Sequence, residues 1–394
     1  MGLTVKPIAC PGGCLGCYEK DIRQKGLAPD FEITKVLETL SAQMALDKDN
    51  SWNSPTLHGG EPLLLPLSDI DAILKMVFEK YGQSGIQTSG VMIRQEHIDL
   101  FTKYKTCVGI SIDGDTPETN AGRWNAPGFD VAERTQRTLD ILSQLKLAKL
   151  NVSAITVMRQ CNAGTPALRS DLIHFGLRLR DEFGVSSMRF NPVIAFDERT
   201  ARDEQLDNFS LADAFKKQII KVVADENLSW YPARDFINIL NGKSGVCIFT
   251  ECDPWSTNSE IPILGDGSLS VCMKGGGGSD GIATLRVEKS MARYEALRQV
   301  SQTAGGCRGC FWWKYCKGGC PGAGIDGDWR NRSRFCEALQ QTFAFVSGLA
   351  VFDNTQPDCK GQVDHGDSHG DKPHGDSNDP EWRKANPWWK GAVK

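Results

Sequence analysis

Cys10, Cys14 and Cys17 stand in the spacing C-x3-C-x2-C, and some forty residues on, His58-Gly59-Gly60-Glu61-Pro62 follows a short apolar run. Three thiolates on one tight loop can hold three irons of a four-iron cluster and leave the fourth iron without a protein ligand. An open position suits catalysis, whereas a purely structural metal site is expected to supply all its own ligands. Glycines allow backbone to approach a ligand closely, and a carboxylate beside an ammonium makes a charge-assisted hydrogen bond. Taken singly, the cysteines would also suit half of a zinc site and Gly-Gly-Glu-Pro an ordinary turn; their order and separation favour the radical chemistry of an open cluster.

The two motifs together resemble the radical S-adenosylmethionine (radical SAM) superfamily, whose members bind that cofactor through its amino and carboxylate groups to the unique iron and cleave it reductively. The resemblance implies a 4Fe-4S cluster on Cys10, Cys14 and Cys17, and a role for Gly59, Gly60 and Glu61 in receiving the methionyl ammonium. It also maps the family's serine and arginine contacts to ribose and carboxylate onto Ser111 and Arg123. One departure concerns how adenine is covered: the family usually places an aromatic residue before the third cysteine, and this chain has Gly16 there, with Tyr18 after it.

These motifs need a scaffold that brings them to one place. From Leu3 to about Asp225, short β-branched runs alternate with amphipathic stretches, the pattern of repeated βα units. Strands are expected at Leu3–Ile8, Pro55–His58, Ile86–Ser89, Val108–Ile112, Val152–Val157 and Met188–Pro192. Helices are expected from Ile33 to Met44 and from Ser68 to Tyr81, with Gly82 as the stop of the second. Six parallel strands with outer helices make an α/β fold, a partial (β/α)6 version of the TIM barrel, in which chemistry sits at the C-terminal strand ends. The cysteine loop, Gly59 to Glu61, Gln87 to Gly90 and Ser111 to Gly114 follow the first four strands in that order.

After Lys243 glycine rises, helical periodicity fades, and eight cysteines follow at 247, 252, 272, 307, 310, 316, 320 and 336. So little apolar content favours a domain folded around metal. The run Cys252, Gly267, Cys272, Cys307, Cys310, Cys316, Cys320 and Cys336 resembles the seven-cysteine SPASM extension, with Cys247 as the extra upstream ligand. The resemblance assigns Cys247, Cys252, Cys272 and Cys320 to a first auxiliary [4Fe-4S] cluster and Cys307, Cys310, Cys316 and Cys336 to a second, three clusters in all. Two structural zinc sites are the alternative, since four thiolates also suit zinc. The expected division is therefore a radical SAM barrel over 1–225, a helical linker over 226–246, a SPASM domain over 247–352 and a polar, disordered tail over 353–394.

With 394 residues, 40% of them hydrophobic, the chain has the composition of a soluble globular protein. Its net charge of −4 gives no argument for nucleic acid or a membrane surface. No secretory signal precedes Cys10, and 14 cysteines without one point to metal or redox chemistry in the cytoplasm. Cys107, Cys161 and Cys359 are left over from the cluster sets, and the tail repeats His-Gly-Asp at His365, His369 and His374.

By resemblance the chain is a maturase of ribosomally made peptides, in which a 5′-deoxyadenosyl radical abstracts hydrogen and two fully ligated auxiliary clusters take the electron released on closing a carbon-carbon or thioether crosslink. Two related activities are alternatives. Formylglycine-forming sulfatase maturases carry an aspartate where this chain has Met273, which counts against that activity; peptide epimerases need a thiol donor, here Cys107, Cys161 or Cys359. A non-catalytic iron-sulfur electron carrier is a reading of another class, and it would have no use for an open iron. The expected partners are a precursor peptide, a reductant such as flavodoxin or ferredoxin, and a separate leader-recognition protein, since only nine residues precede Cys10.

Overall fold

The computed structural model describes residues 2–6, 10, 12–17, 31–124, 127–195, 198–243, 245, 260–270 and 287–349. Eight parallel strands form one sheet: β1 Gly2–Lys6, β2 Thr56–Leu57, β3 Ser84–Thr88, β4 Thr106–Ser111, β5 Val152–Met158, β6 Val185–Pro192, β7 Trp230–Tyr231 and β8 Glu260–Leu264. Their order is β7-β6-β5-β4-β3-β2-β1-β8. Neighbours follow the chain from β1 to β7, and β8 returns to the far side of β1, pairing Gly2 with Glu260 and Val5 with Ile263. The sheet is an open partial barrel with β7 and β8 at its edges.

Crossover helices cover the strands. They are α1 Ile33–Leu46, α2 Leu67–Tyr81, α3 Gln95–Lys103, α4 Val131–Leu147, the single turn α5 Gln160–Ala163, α6 Pro166–Phe183, α7 Glu198–Asp203 and α8 Asn208–Ala224. Each long helix buries one stripe: Val36, Leu40 and Met44 on α1, and Ile70, Ile73, Leu74 and Val77 on α2. Capping sets their limits. Asp130 accepts from the amides of Ala132 and Glu133 at the start of α4, and Gly82, at φ 71°, ends α2 as expected, its N–H returning to Phe78 O.

The six expected strands are present, and two more join them. β7 is only two residues long, too short to leave a pattern. β8 carries Pro262 and lies inside the stretch expected to belong to the cysteine-rich domain; a proline is tolerated there because this is an edge strand of the sheet, flanked on its other side only by the short return at Ser268–Ser270. The contacts divide the chain into one unit of Met1–Arg234 with Ser256–Arg286, and another of Asp235–Trp255 with Val287–Lys394. This moves the expected boundaries at 225 and 246 so that β7 and β8 go with the sheet. Among the described residues of the second unit are α9 Ala233–Leu240, which begins at its edge, α10 Val287–Gln299, the single turn α11 Trp313–Cys316 and α12 Cys336–Gly348. Among the described residues no helix is long and apolar enough to cross a membrane.

Leu142 and Leu147 sit on the same helix, one fully buried and the other 82% exposed. Leu142→Ala is expected to destabilise the sheet unit by about 2–5 kcal/mol in urea unfolding, and Leu147→Ala by less than about 0.5 kcal/mol.

Candidate functional site

The C-terminal ends of β1 to β5 all point to one rim, where the cysteine loop meets the segment after β4. Gly12 lies between two thiols: a Cβ there would stand 3.3 Å from Cys10 Sγ, 3.6 Å from Cys14 Sγ and 3.6 Å from the Trp124 ring. The Gly12 amide donates to Cys10 Sγ at 3.3 Å and the Trp124 amide to Cys14 Sγ at 3.4 Å. Leu15 N donates to Gly122 O at 2.9 Å, so the loop is fastened to residues 122–124 through backbone. Cys10, Cys14 and Cys17 are all half-buried.

Gly16 explains the missing aromatic. Its φ is 65°, and a side chain there would collide with Val193 and press on Ile194 O and Thr200. The Val193 side chain occupies the space that a Cβ at this position would need.

Beside the loop, Asp113 is buried completely just beyond β4. Its Oδ1 accepts from Arg123 Nη2 at 2.8 Å and from Val157 N at 2.7 Å, and its Oδ2 from Arg159 Nε at 3.2 Å. Arg159 Nη1 lies 3.5 Å from Glu204 Oε2, so charges alternate along Arg123, Asp113, Arg159 and Glu204. Burial works against the Arg123 cation, but the Asp113 carboxylate, with Cys14 and Cys17, raises its pKa above the usual value. Its Nε is buried with no hydrogen-bond partner. A charged guanidinium with an unused N–H beside two thiols fits an anionic ligand, and three gathered thiols fit a cluster that takes one thiolate per iron.

Glu61, also buried, ties the rims of β2 and β3. Its Oε1 accepts from Thr88 Oγ1 at 2.5 Å and Leu63 N at 3.3 Å, and its Oε2 from Ser89 N at 3.0 Å and Ser89 Oγ at 2.5 Å. Gly59 and Gly60 precede it with φ of 81° and 56°, a left-handed pair that only glycine adopts without strain. Ser111 Oγ accepts from Gln87 Nε2 at 2.9 Å. Asp113, Arg159, Thr88 and Ser89 went unassigned from sequence, although three of the four lie in segments singled out there. Only Arg159, 46 residues from Asp113, left no local signal.

The leftover thiols separate. Cys107 is the second residue of β4, at the opposite end of the strand from the site. Cys161, on α5 just past β5, donates from Sγ to Thr119 O at 3.5 Å; burial, then Asp113 and Glu204, push its pKa up to about 11.

In the second unit, Cys307 and Cys316 are buried and Cys310 and Cys336 half-buried. Burial pushes the Cys307 thiol up, and Cys316, Cys336 and Cys310 add to it while Arg293 opposes. Burial likewise pushes Cys316 up to about 12, with Cys336 and Cys310 among its neighbours. Thiols gathered in this way are a donor set that suits a bound metal centre. Gln340 Nε2 bridges two of them, 3.6 Å from Cys310 Sγ and 3.5 Å from Cys336 Sγ. Arg293, buried on α10, fixes the surrounding loop by donating to Trp329 O at 2.7 Å and Asn331 O at 3.0 Å. Among the described residues no three His, Cys, Asp or Glu side chains are placed to share a single metal ion. Cys320 is buried nearby in sequence, whereas Cys247, Cys252, Cys272, Met273 and Cys359 lie outside the described residues.

Two substitutions probe this geometry. Gly16→Phe is expected to lower the iron bound after anaerobic reconstitution by about four per chain, as read by iron analysis. Glu61→Gln turns one acceptor into a donor among four donors and is expected to cost about 1–3 kcal/mol of stability, measured as a fall in unfolding midpoint.

Residues 7–183 match the family model described as the Radical SAM superfamily. A cysteine-type anaerobic sulfatase-maturating enzyme of Clostridium perfringens strain 13 is 20% identical over 351 residues, covering 81% of this chain and 88% of that protein. The solved structure of native anSMEcpe with bound AdoMet superposes with a TM-score of 0.63 at 18% identity, over 88% of this chain and 96% of that one. The same enzyme with AdoMet and the Cp18Cys peptide gives 0.61 at 19% identity over the same shares. At these identities the superpositions establish the fold, and over residues 7–183 the chain is similar to the Radical SAM superfamily.

Proposed function

We propose that this protein is a maturase that oxidatively crosslinks side chains of a ribosomally made peptide. The observation that carries this reading is the pairing of an open set of three thiols at the barrel rim with a second set, Cys307, Cys310, Cys316 and Cys336, of which Gln340 Nε2 reaches Cys310 and Cys336 together. When bound, a cluster on the first set and S-adenosylmethionine supply a radical able to remove hydrogen from an unactivated carbon; two auxiliary clusters are part of the same proposal. The chain's own residues hold and orient. Cys10, Cys14 and Cys17 take three irons. Arg123 offers its charge and its unused N–H to the cofactor's carboxylate, and Asp113 keeps that guanidinium in place. Glu61 spends its lone pairs on Thr88, Ser89 and Leu63, so the ammonium falls to the backbone of Gly59 and Gly60, with the Glu61 charge close behind. Ser111, set by Gln87, would hold the ribose.

The relatives support a peptide or protein substrate: one is a sulfatase-maturating enzyme, and one solved neighbour holds a peptide. Met273 stands where formylglycine formation places an aspartate, which favours crosslinking. A second reading, epimerisation, is favoured by the place of Cys161 at the same rim, the position a hydrogen donor needs.

Anaerobic co-expression with the small peptide encoded nearest the gene, followed by tandem mass spectrometry, tests both. Loss of two hydrogens per modified site supports the crosslink. Unchanged mass with deuterium from heavy water at an α-carbon, abolished by Cys161→Ala, supports the epimerase and rejects crosslinking.

A further inference from the structure

The loop that carries Cys307, Cys310 and Cys316 has an unusual surface. From Gln299 to Ile325 it contains no acidic residue, while Arg308, Lys314 and Lys317 are its charged side chains, in a chain of net charge −4. Arg308 and Lys314 are exposed, and between them Phe311 is 72% exposed.

Phe311 is nevertheless held firmly. Its ring meets Trp312 edge-on at 4.9 Å and 89°, and Trp312 stacks on the fully buried Phe343 at 5.9 Å, which Tyr315 also stacks against at 5.7 Å. Scattered apolar side chains are common on surfaces; an anchored aromatic set between the exposed cations Arg308 and Lys314 is the composition of a contact patch. The patch is small, as suits the brief encounters of redox partners, which bury less than about 1,200 Å² and rely on charge to find their register. Its tip directly follows Cys310, and Lys314 and Cys316 lie on the single turn α11.

We propose that this aromatic-tipped basic loop is the docking surface for a one-electron carrier protein with an acidic face. The proposal rests on the reading above that Cys307, Cys310, Cys316 and Cys336 hold an iron-sulfur cluster, which gives the carrier a redox centre beneath the patch.

The test is the binding of an acidic flavodoxin to the reconstituted full chain, measured by surface plasmon resonance beside iron analysis. The double variant Arg308→Glu/Lys314→Glu is expected to weaken binding at least about tenfold at ~50 mM salt, with the difference closing near ~500 mM. Phe311→Ser is expected to weaken it severalfold at both salt levels, with iron unchanged in either variant. Unaltered affinity in iron-replete variants overturns the docking surface, as does equal binding by an acidic protein without a redox centre. Iron that does not fall when Cys307 and Cys336 are replaced by alanine overturns the underlying cluster reading instead.

Discussion

A carboxylate with no exposure to water is tolerated only if its surroundings replace the hydrogen bonds of water, and Asp113 obtains that replacement from two arginines and a backbone amide. Much of the site follows from this one requirement. Arg123 comes from the loop after β4, Val157 from β5 and Arg159 from the turn into α5, so the carboxylate pins three segments together. Gly122 must lack a side chain, because a Cβ there would stand 2.7 Å from Arg159 Nε. That leaves Gly122 O open to receive Leu15 N, and the cysteine loop is thereby hung on the same assembly. Arg123, held on one side by Asp113, keeps its charge beside Cys14 and Cys17.

Glu61 solves a related problem one strand over. Four donors from three residues fill its lone pairs, and the rims of β2 and β3 cannot separate without breaking them. Two buried carboxylates thus brace neighbouring parts of one strand-end rim. Rigid bracing matters for radical chemistry, where a reactive species must meet one hydrogen and not its neighbours.

The spacing of Cys10, Cys14 and Cys17, the Gly-Gly-Glu-Pro segment and the six βα units could be read directly from the chain, because each is local and its pattern short. β7 could not, since Trp230–Tyr231 has no periodicity to detect, and Pro262 disguised β8, whose place beside β1 depends on a return from far along the chain. Asp113 stood in plain view beside Ser111, yet its importance comes from Arg159, whose distance in sequence hides the pairing. Gly16 was visible as a departure from the family pattern, and only the nearness of Val193 gives the reason.

The central claim is that the first three cysteines carry a cluster with an iron left open for S-adenosylmethionine. Electron paramagnetic resonance of the reduced protein with Cys247, Cys252, Cys272, Cys307, Cys310, Cys316, Cys320 and Cys336 all replaced by alanine, with and without that cofactor, tests it directly. The account predicts a four-iron signal whose g values move on adding the cofactor; a signal unchanged by it, or no cluster on Cys10, Cys14 and Cys17 at all, would contradict the account.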